Sequence, residues 1–421
     1  MDLDRATYAS IYGPTAGDRI RLGDTDLIVE VESDDTLAGS EPLAGFGKTI
    51  RAHQLAMSEL PGDGPLEAAI TNVVLIDPIL GIRKTSIGIR DGRIAAIGRA
   101  GDPTADPDVA VALSPVTGIV PGEGLIATPG TIDVHVHLLG PQVVEAALAG
   151  GTTTVVAMGY GGAFDLGIGP RPNFDRLLAA WQGVPLNLVP LARASTSDRA
   201  VLEESLSWGA AGFKAHEDVG AYPEIVDAAL DAAEDHDVQL ALHMDGLGEA
   251  ATLEETLEAC GDRTVHLYHV EGCGGGPAPL LEAVSRASVL PSSTNPTLPF
   301  GVGAVAEHAE MIRAVHRLHP AFENDHRAAD ERIRGWTMAA EGVLHDLGAI
   351  SMIGSDSMGM GRVGEVARRA WQLADAMKAA LGSDSDNDND RVLRYVAKLS
   401  INPALAHGIA HDVGTLEPGT L

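Results

Sequence analysis

Alternating apolar and polar positions between Ile70 and about Thr128 predict short strands, with Ile70–Asp77 and Ile87–Gly98 as the clearest runs. The second run is broken by Asp91-Gly92, a pair that tolerates the positive φ of a tight hairpin turn. After Pro129 the texture changes to short apolar runs separated by helical stretches, which points to βα repeats around a parallel sheet. Eight candidate strands follow: Thr131–Leu138, Thr152–Met158, Leu186–Ala192, Gly212–Glu217, Val238–Asp245, Thr264–Glu271, Ser288–Thr294 and Ile350–Ser357. Helical patterns such as Pro223–Glu234 and Ala304–Leu318 lie between them. Eight such units over about 270 residues match a TIM-type barrel. The expected fold is therefore α/β, a (β/α)8 barrel with a second, smaller all-β domain of composite-sandwich type. The expected boundaries are 1–65 for an N-terminal segment packing with the β domain, 66–128 for that domain, 129–400 for the barrel, and 401–421 for a return to the β domain. Gly382–Asp390 reads as a loop.

Composition narrows the partners. Among 421 residues, 59 acidic side chains face 29 basic ones, a formal charge of -30. Such a body repels nucleic acid, whose binding needs clustered Lys and Arg, and disfavours anionic membranes. The apolar share is 45%, and no run of about 18 apolar residues occurs that could span a bilayer. Cys260 and Cys273 are the only cysteines, too few for a disulfide framework or a Cys-rich zinc site. The opening Met1-Asp2-Leu3-Asp4-Arg5 has no basic region followed by an apolar one, so a cytoplasmic location is expected.

Several predicted strands end in side chains that bind metals. His135 and His137 stand two apart on the first strand and so share one face. The fourth strand ends in Lys214-Ala215-His216-Glu217-Asp218, the fifth carries His243, the sixth His269 and the eighth Asp356. A core histidine or an N-capping aspartate would account for any one of them. Five strands placing such groups at the C-terminal rim, where barrel active sites assemble, point to a metal site. Lys214 is the discriminating residue, because an ammonium inside a barrel is costly unless paired or neutralised. A salt bridge to Glu217 or Asp218 is one solution, and carbamylation by CO2 to a carboxylate-like bridge between two cations is another. Neutral imidazole and oxygen donors without thiolate suit nickel or zinc, and a metal pair would activate a shared water and polarise a carbonyl. The glycine-rich Gly159-Tyr160-Gly161-Gly162 and Gly272–Gly276 lack dinucleotide-binding spacing.

Seven blocks carry a family resemblance: Tyr12–Leu27, Asp133–His137, Lys214–Asp218, His269–Gly272, Pro291–Thr297, Gly354–Ser357 and Met360–Glu365. In this order they resemble the urease α (catalytic) subunit, of the metal-dependent amidohydrolase superfamily, over essentially the whole chain. The resemblance implies two Ni(2+) ions bridged by a CO2-derived carbamate on Lys214, with zinc in their place if the substrate has changed. His243 and His269 would bind one ion, and His135, His137 and Asp356 the other. His216 would hydrogen-bond the urea carbonyl oxygen, with Gly359 also at the substrate pocket. His316, on a mobile flap, would act as acid or base, tuned by Asp218 and Arg332. The implied reaction is hydrolysis of urea to ammonia and carbamate. The implied partners are urease β and γ chains, nickel-loading accessory proteins and further copies in a homotrimer of heterotrimers.

The chain also departs from that family. Its flap reads Val315-His316-Arg317 where typical ureases have Cys-His-His, and the Gly159–Pro172 loop bears little likeness to the family's pocket loop. Gly359 stands where Ala is frequent, and the chain stops at Leu421 where relatives continue. These departures leave two alternatives: a binuclear amidohydrolase acting on another small amide or cyclic imide, or a catalytically impaired urease-like protein that acts through a partner.

Overall fold

The computed structural model describes residues 3–43, 57, 60–62, 64–138, 140–159, 167–216, 220–243, 251–272, 280–383 and 385–421. They form two compact units. One comprises Met1–Pro129, Leu381–Ala397 and His411–Leu421, the other Gly130–Ala380 and Lys398–Ala410.

The first unit is built on a six-stranded sheet. Its long strands Ala68–Asp77 and Gly81–Arg90 run antiparallel, and Arg93–Gly98 folds back onto the second. The turn between them places Asp91 at φ 55° and Gly92 at φ 70°, the geometry the Asp-Gly pair predicts. Lys84, fully buried in this sheet, is held by Glu41 at 3.3 Å and Asp34 at 3.7 Å. The unit is not purely β, since helix Arg5–Tyr12 belongs to it, capped by Asp4 accepting from Thr7 N at 2.9 Å. The last eleven residues join it through Ile94 N to Thr420 O and Gly419 N to Ile94 O, both 2.8 Å.

Two boundaries differ from the sequence expectation. Residues 381–397 belong with the first unit rather than the barrel, because Asp388 and Asn389 accept from Ile28 N and Glu30 N, each at 2.8 Å. Residues 398–410 belong with the barrel rather than the β unit, tied by Gln239 Nε2 to Ala406 O and Asn402 Nδ2 to Ser351 O at 3.0 and 2.9 Å.

The second unit is an eight-stranded parallel sheet in sequence order: Thr131–His137, Thr152–Met158, Asn187–Arg193, Gly212–His216, Gln239–His243, Val265–Leu267, Val289–Thr294 and Met352–Gly354. His137 N donating to Ser357 O at 3.0 Å joins the first strand to the segment following the eighth and closes the barrel. The outward faces carry Phe213, Leu240, Leu242 and Leu267, which pack on helical residues such as Val226, Leu230 and Leu257. Helix Pro223–Asp235 shows why: Pro223 suits the first turn, and Val226, Ala229, Leu230 and Ala233 fall at i, i+3, i+4 and i+7 on one buried face. Thr252 and Glu255 form a capping box that starts helix Leu253–Cys260. With the outward faces apolar, the barrel's polar side chains are concentrated on its inside.

Buried neutral histidines make this unit acid-sensitive. His345 packs against Ser293 Oγ at 2.6 Å, and burial pushes it well below the ordinary imidazole range. His407 is likewise pushed down by burial, to about 4. The unfolded chain protonates such a residue near 6.5, and the fold resists doing so until about 4. Stability is therefore full above pH 6.5, falls as pH drops through that window, and levels below it. For His407 the loss amounts to roughly 3 kcal/mol by pH 4. Thermal melts of metal-free protein from pH 7.5 to 4 are expected to show the decline, and it should be shallower in His407→Gln.

Candidate metal centre

The first strand presents His135 and His137 to the barrel interior, both buried. Asp356, just beyond the eighth strand, brings its carboxylate between them: Oδ1 lies 3.0 Å from His137 Nε2 and 3.4 Å from His135 Nε2. His269 approaches from the sixth strand's end, its Nε2 at 3.7 Å from Asp356 Oδ2. Ligand atoms from His135, His137 and Asp356 all fall within 4.8 Å of one another. The imidazoles continue as a file across the barrel mouth. Ring centroids are 5.2 Å apart for His137 and His135, 5.0 Å for His135 and His269, 4.6 Å for His269 and His243, and 3.9 Å for His243 and His216. Lys214, fully buried, places its Nζ 4.0 Å from the centre of the Tyr268 ring, which also stacks on His135 at 4.0 Å and meets His266 edge-on at 4.4 Å.

The hydrogen bonds around this file fix which atoms face inward. His137 Nδ1 meets Gly159 O at 3.2 Å, so it donates there and leaves Nε2 as a lone pair. His269 Nδ1 meets Glu271 Oε1 at 3.2 Å with the same result. With Nδ1 committed, each Nε2 that points toward the oxygens of Asp356 needs either a second proton or a metal cation between the two atoms. Metal-ligating histidines commonly have their second nitrogen held in this way. Burial alone would raise the Asp356 carboxyl, but positive charge on the facing imidazoles of His135, His137 and His269 holds it far below the ordinary carboxylate range, and a metal cation in place of their protons would act in the same direction. The donor set is therefore charged for a cation, and its neutral imidazole and carboxylate atoms suit nickel or zinc.

Backbone strain marks the same residues. His269 sits at φ 54° and Asp356 at φ 55°, left-handed values that are uncommon outside glycine. Glycines make room for the turn after Asp356. A Cβ on Gly359 would lie 2.3 Å from Asp356 Oδ1, and one on Gly361 only 1.8 Å from Ser355 O. A methyl at 359 meets a side-chain oxygen that can shift, whereas at 361 it meets backbone. Gly361→Ala is accordingly expected to destabilise the fold by about 1–3 kcal/mol or more and to misplace Asp356, read as a lowered Tm together with reduced metal content.

Supporting groups surround the file that the sequence reading does not assign. Asp133 Oδ1 accepts from His135 N at 3.1 Å and Ser355 N at 2.8 Å, tying the first strand to the eighth, and burial pushes its carboxyl up to about 7. Glu271 also accepts from Thr294 Oγ1 at 2.7 Å. Glu341, bonded to Thr297 Oγ1 at 2.8 Å, is raised well above the ordinary range by burial and by the charge of Glu271. Asp133 and Glu271 each stand two residues from a histidine of the file, and that spacing was the available signal.

The structure thus gathers His135, His137, His216, His243, His269, Asp356 and Lys214 at one end of the barrel, with Gly359 against Asp356. His316 follows helix Val305–Val315, half-buried, with its N–H on Ile312 O at 2.9 Å; Arg317 beside it is exposed. Arg332 is buried in the last turn of helix Glu323–Arg332. Glu217 and Asp218 lie outside the described residues, as do 160–166 of the divergent loop. Where that loop returns, Ile168 pairs with the third strand, its N on Leu191 O at 2.7 Å.

Residues 126–421 match the amidohydrolase family, and residues 1–120 match the urease alpha-subunit N-terminal domain. Urease subunit alpha 2 of Streptomyces coelicolor is 51% identical over 423 residues, covering 100% of this chain and 76% of that protein. Urease subunit alpha 1 of Streptomyces avermitilis is 52% identical over 416 residues, covering 98% and 75%. Solved structures that share the fold include dihydropyrimidinase from Brevibacillus agri, at TM-score 0.59 and 16% identity over 84% of each chain. Another is L-hydantoinase from Arthrobacter aurescens, at TM-score 0.56 and 17% identity over 84% of this chain and 85% of that one. Barrel, histidine file and whole-chain similarity agree: the chain belongs to the urease alpha-subunit family of amidohydrolases, enzymes that hydrolyse amide C–N bonds.

Proposed function

We infer that the protein hydrolyses urea to ammonia and carbamate at a pair of nickel ions. The observation that carries this reading is the fully buried Lys214 placed with five imidazoles and a carboxylate, in a chain 51% identical to a urease alpha subunit along its whole length. His135, His137 and Asp356 would hold one ion, His243 and His269 the other, with Lys214 as a carbamate between them. Metals bound there supply Lewis acidity toward a carbonyl and lower the pKa of a water.

The chain's own residues do the remaining work. Gly159 O and Glu271 fix the orientation of His137 and His269, so that neither needs to reorganise during the reaction. His216, at the end of the file, is the group to hydrogen-bond the urea carbonyl oxygen, and Gly359 leaves the space beside Asp356 clear. His316 would move the proton to the departing ammonia, with Arg332 and Asp218 setting its charge state. The burial of the file keeps bulk water from competing for these bonds. By family habit the working form is an assembly with β and γ chains, a trimer of such units, loaded with nickel by accessory proteins in the cytoplasm. Among the described residues no helix is long and apolar enough to cross a membrane.

The test is metal quantitation and ammonia release on protein co-expressed with those partners. Nickel near two per chain with urea-dependent ammonia is the expected result. Nickel-replete complex that leaves urea intact but cleaves another small amide or cyclic imide would transfer the same site to a different substrate. Metal-free, unmodified protein would make the chain a non-catalytic relative.

A further inference from the structure

Tyr268 is fully buried just past the sixth barrel strand and has no part in the reaction proposed for the site. Leu267 before it packs outward, so Tyr268 and His266, two residues apart, share the inward face. His266 meets the edge of the tyrosine ring at 4.4 Å and is itself held by Ser292 Oγ at 2.8 Å. The ring is thus supported from the side of the strand's start, away from the file of imidazoles.

From the sixth strand the side chain crosses to the first, where Tyr268 Oη donates to Val134 O at 2.7 Å. That carbonyl lies where the ladder between the first and second strands is irregular, between Asp133 and Val136. Tyr268 N donates to Leu242 O at 3.0 Å, beside His243. Between these anchors the ring stacks on His135, with centroids 4.0 Å and planes 27° apart. Lys214 Nζ, from the fourth strand, stands 4.0 Å from the ring centre. One residue therefore touches the ring of one candidate ligand and the amine of another, bonds beside a third, and directly precedes a fourth, His269.

We propose that Tyr268 is the positioning residue for Lys214, its ring a platform that keeps the amine in place beside His135 while that amine is converted to a carbamate. The inference rests on the reading of Lys214 as a carbamylated bridge. In the conversion the unprotonated amine adds its lone pair to the carbon of CO2, and one C=O electron pair moves to oxygen. The two protons lost from the original ammonium pass to solvent. The ring suits both ends of this change. An ammonium is attracted to the face of an aromatic ring. A carbamate nitrogen keeps one N–H that the same face accepts, while the negative charge rests on the two oxygens. An aliphatic side chain supplies neither contact. Lysine's flexible stem also loses rotamer freedom when fixed, and a ring already anchored by Val134 O, His135 and His266 imposes that order before metal arrives.

The test strips the full-length protein of metal and reloads it with nickel over a series of radiolabelled bicarbonate concentrations, in the parent, Tyr268→Phe, Tyr268→Leu and Tyr268→Met. Nickel per chain and retained label are measured, with thermal melts of the metal-free proteins to report folding. Tyr268→Phe keeps the ring and is expected to half-load within about twofold of the parent's bicarbonate concentration. The two variants without a ring should need about tenfold more, the lower end of the range for groups that orient a ligand. A tyrosine that only filled space would lower Tm in those two and leave the bicarbonate dependence of the folded protein unchanged; that result overturns the proposal. So does a Tyr268→Phe protein as impaired as the other two, which would move the role from ring to hydroxyl. Should neither variant without a ring fold, the metal-free parent decides. Lys214 is one of five lysines, so lysine-selective NMR labelling should show a ring-current-shifted εCH2 signal that is missing from Lys214→Arg, and its absence from the parent overturns the proposal. Parent protein that retains neither label nor nickel overturns the carbamate reading and this inference together, whereas folded Tyr268→Leu or Tyr268→Met that loads like the parent overturns this inference alone.

Discussion

Asp356→Ala is expected to empty the candidate metal centre and to lower amide hydrolysis by more than about 100-fold, since even a partner of a ligand is worth 10–100-fold and Asp356 touches the cluster directly. Its two oxygens face three imidazoles at 3.0, 3.4 and 3.7 Å, so this one carboxylate joins three of the candidate ligands. The barrel itself should survive. Closure between the first and eighth strands uses the backbone bond from His137 N to Ser357 O and the Asp133 carboxylate, none of which involves the Asp356 side chain. Asp356→Asn separates charge from shape: it keeps the volume but offers a neutral oxygen and an N–H that would face the Nε2 lone pairs. Metal content by elemental analysis and unfolding by calorimetry together decide the matter. Retained metal in Asp356→Ala would show that the file of histidines, rather than this carboxylate, holds the ion.

The strand pattern was largely legible because barrel strands are apolar on the face that packs under the helices. Thr152–Met158 was placed to the residue, and the other strands agree at their centres. The errors collect at the ends that carry the chemistry. Thr264–Glu271 reads as one strand, yet the ladder spans Val265–Leu267, and His269 turns away at φ 54°. Ile350–Ser357 likewise shrinks to Met352–Gly354, with Asp356 at φ 55° and Met358 at φ 69°. Alternation of apolar residues cannot signal a left-handed backbone at a histidine or aspartate, because only the surrounding fold over-determines it.

The same limit explains the misplaced boundaries and the unassigned carboxylates. Helix Asn389–Leu399 is amphipathic in sequence, but periodicity does not say which unit its capping residues will bond. Asp133 and Glu271 stand in motifs whose histidines attract attention. Their own work depends on Ser355 N and Thr294 Oγ1, groups far away in the chain. Glu341 acquires its raised pKa only when the fold buries it near Glu271.

Lys214 separates the two explanations of a buried amine. If it served as an ammonium paired with a carboxylate, Lys214→Arg would keep the charge and much of the function. If it serves as a carbamate between metals, arginine fails as completely as alanine, because a guanidinium stays protonated and does not take up CO2. The expected result is the second: both substitutions reduce hydrolysis by about 10³-fold or more, equivalent to some 4 kcal/mol of transition-state stabilisation. The contacts of Lys214 favour this outcome. Its Nζ lies 4.0 Å from the centre of the Tyr268 ring, and His135 stacks on that same ring at 4.0 Å, so the amine and a candidate ligand share one neighbour. Intact-mass measurement under CO2 supplies a readout apart from activity, with the added CO2 present in the parent protein and absent from both variants. Full activity in Lys214→Arg would remove the carbamate from the site and return Lys214 to a structural ion pair.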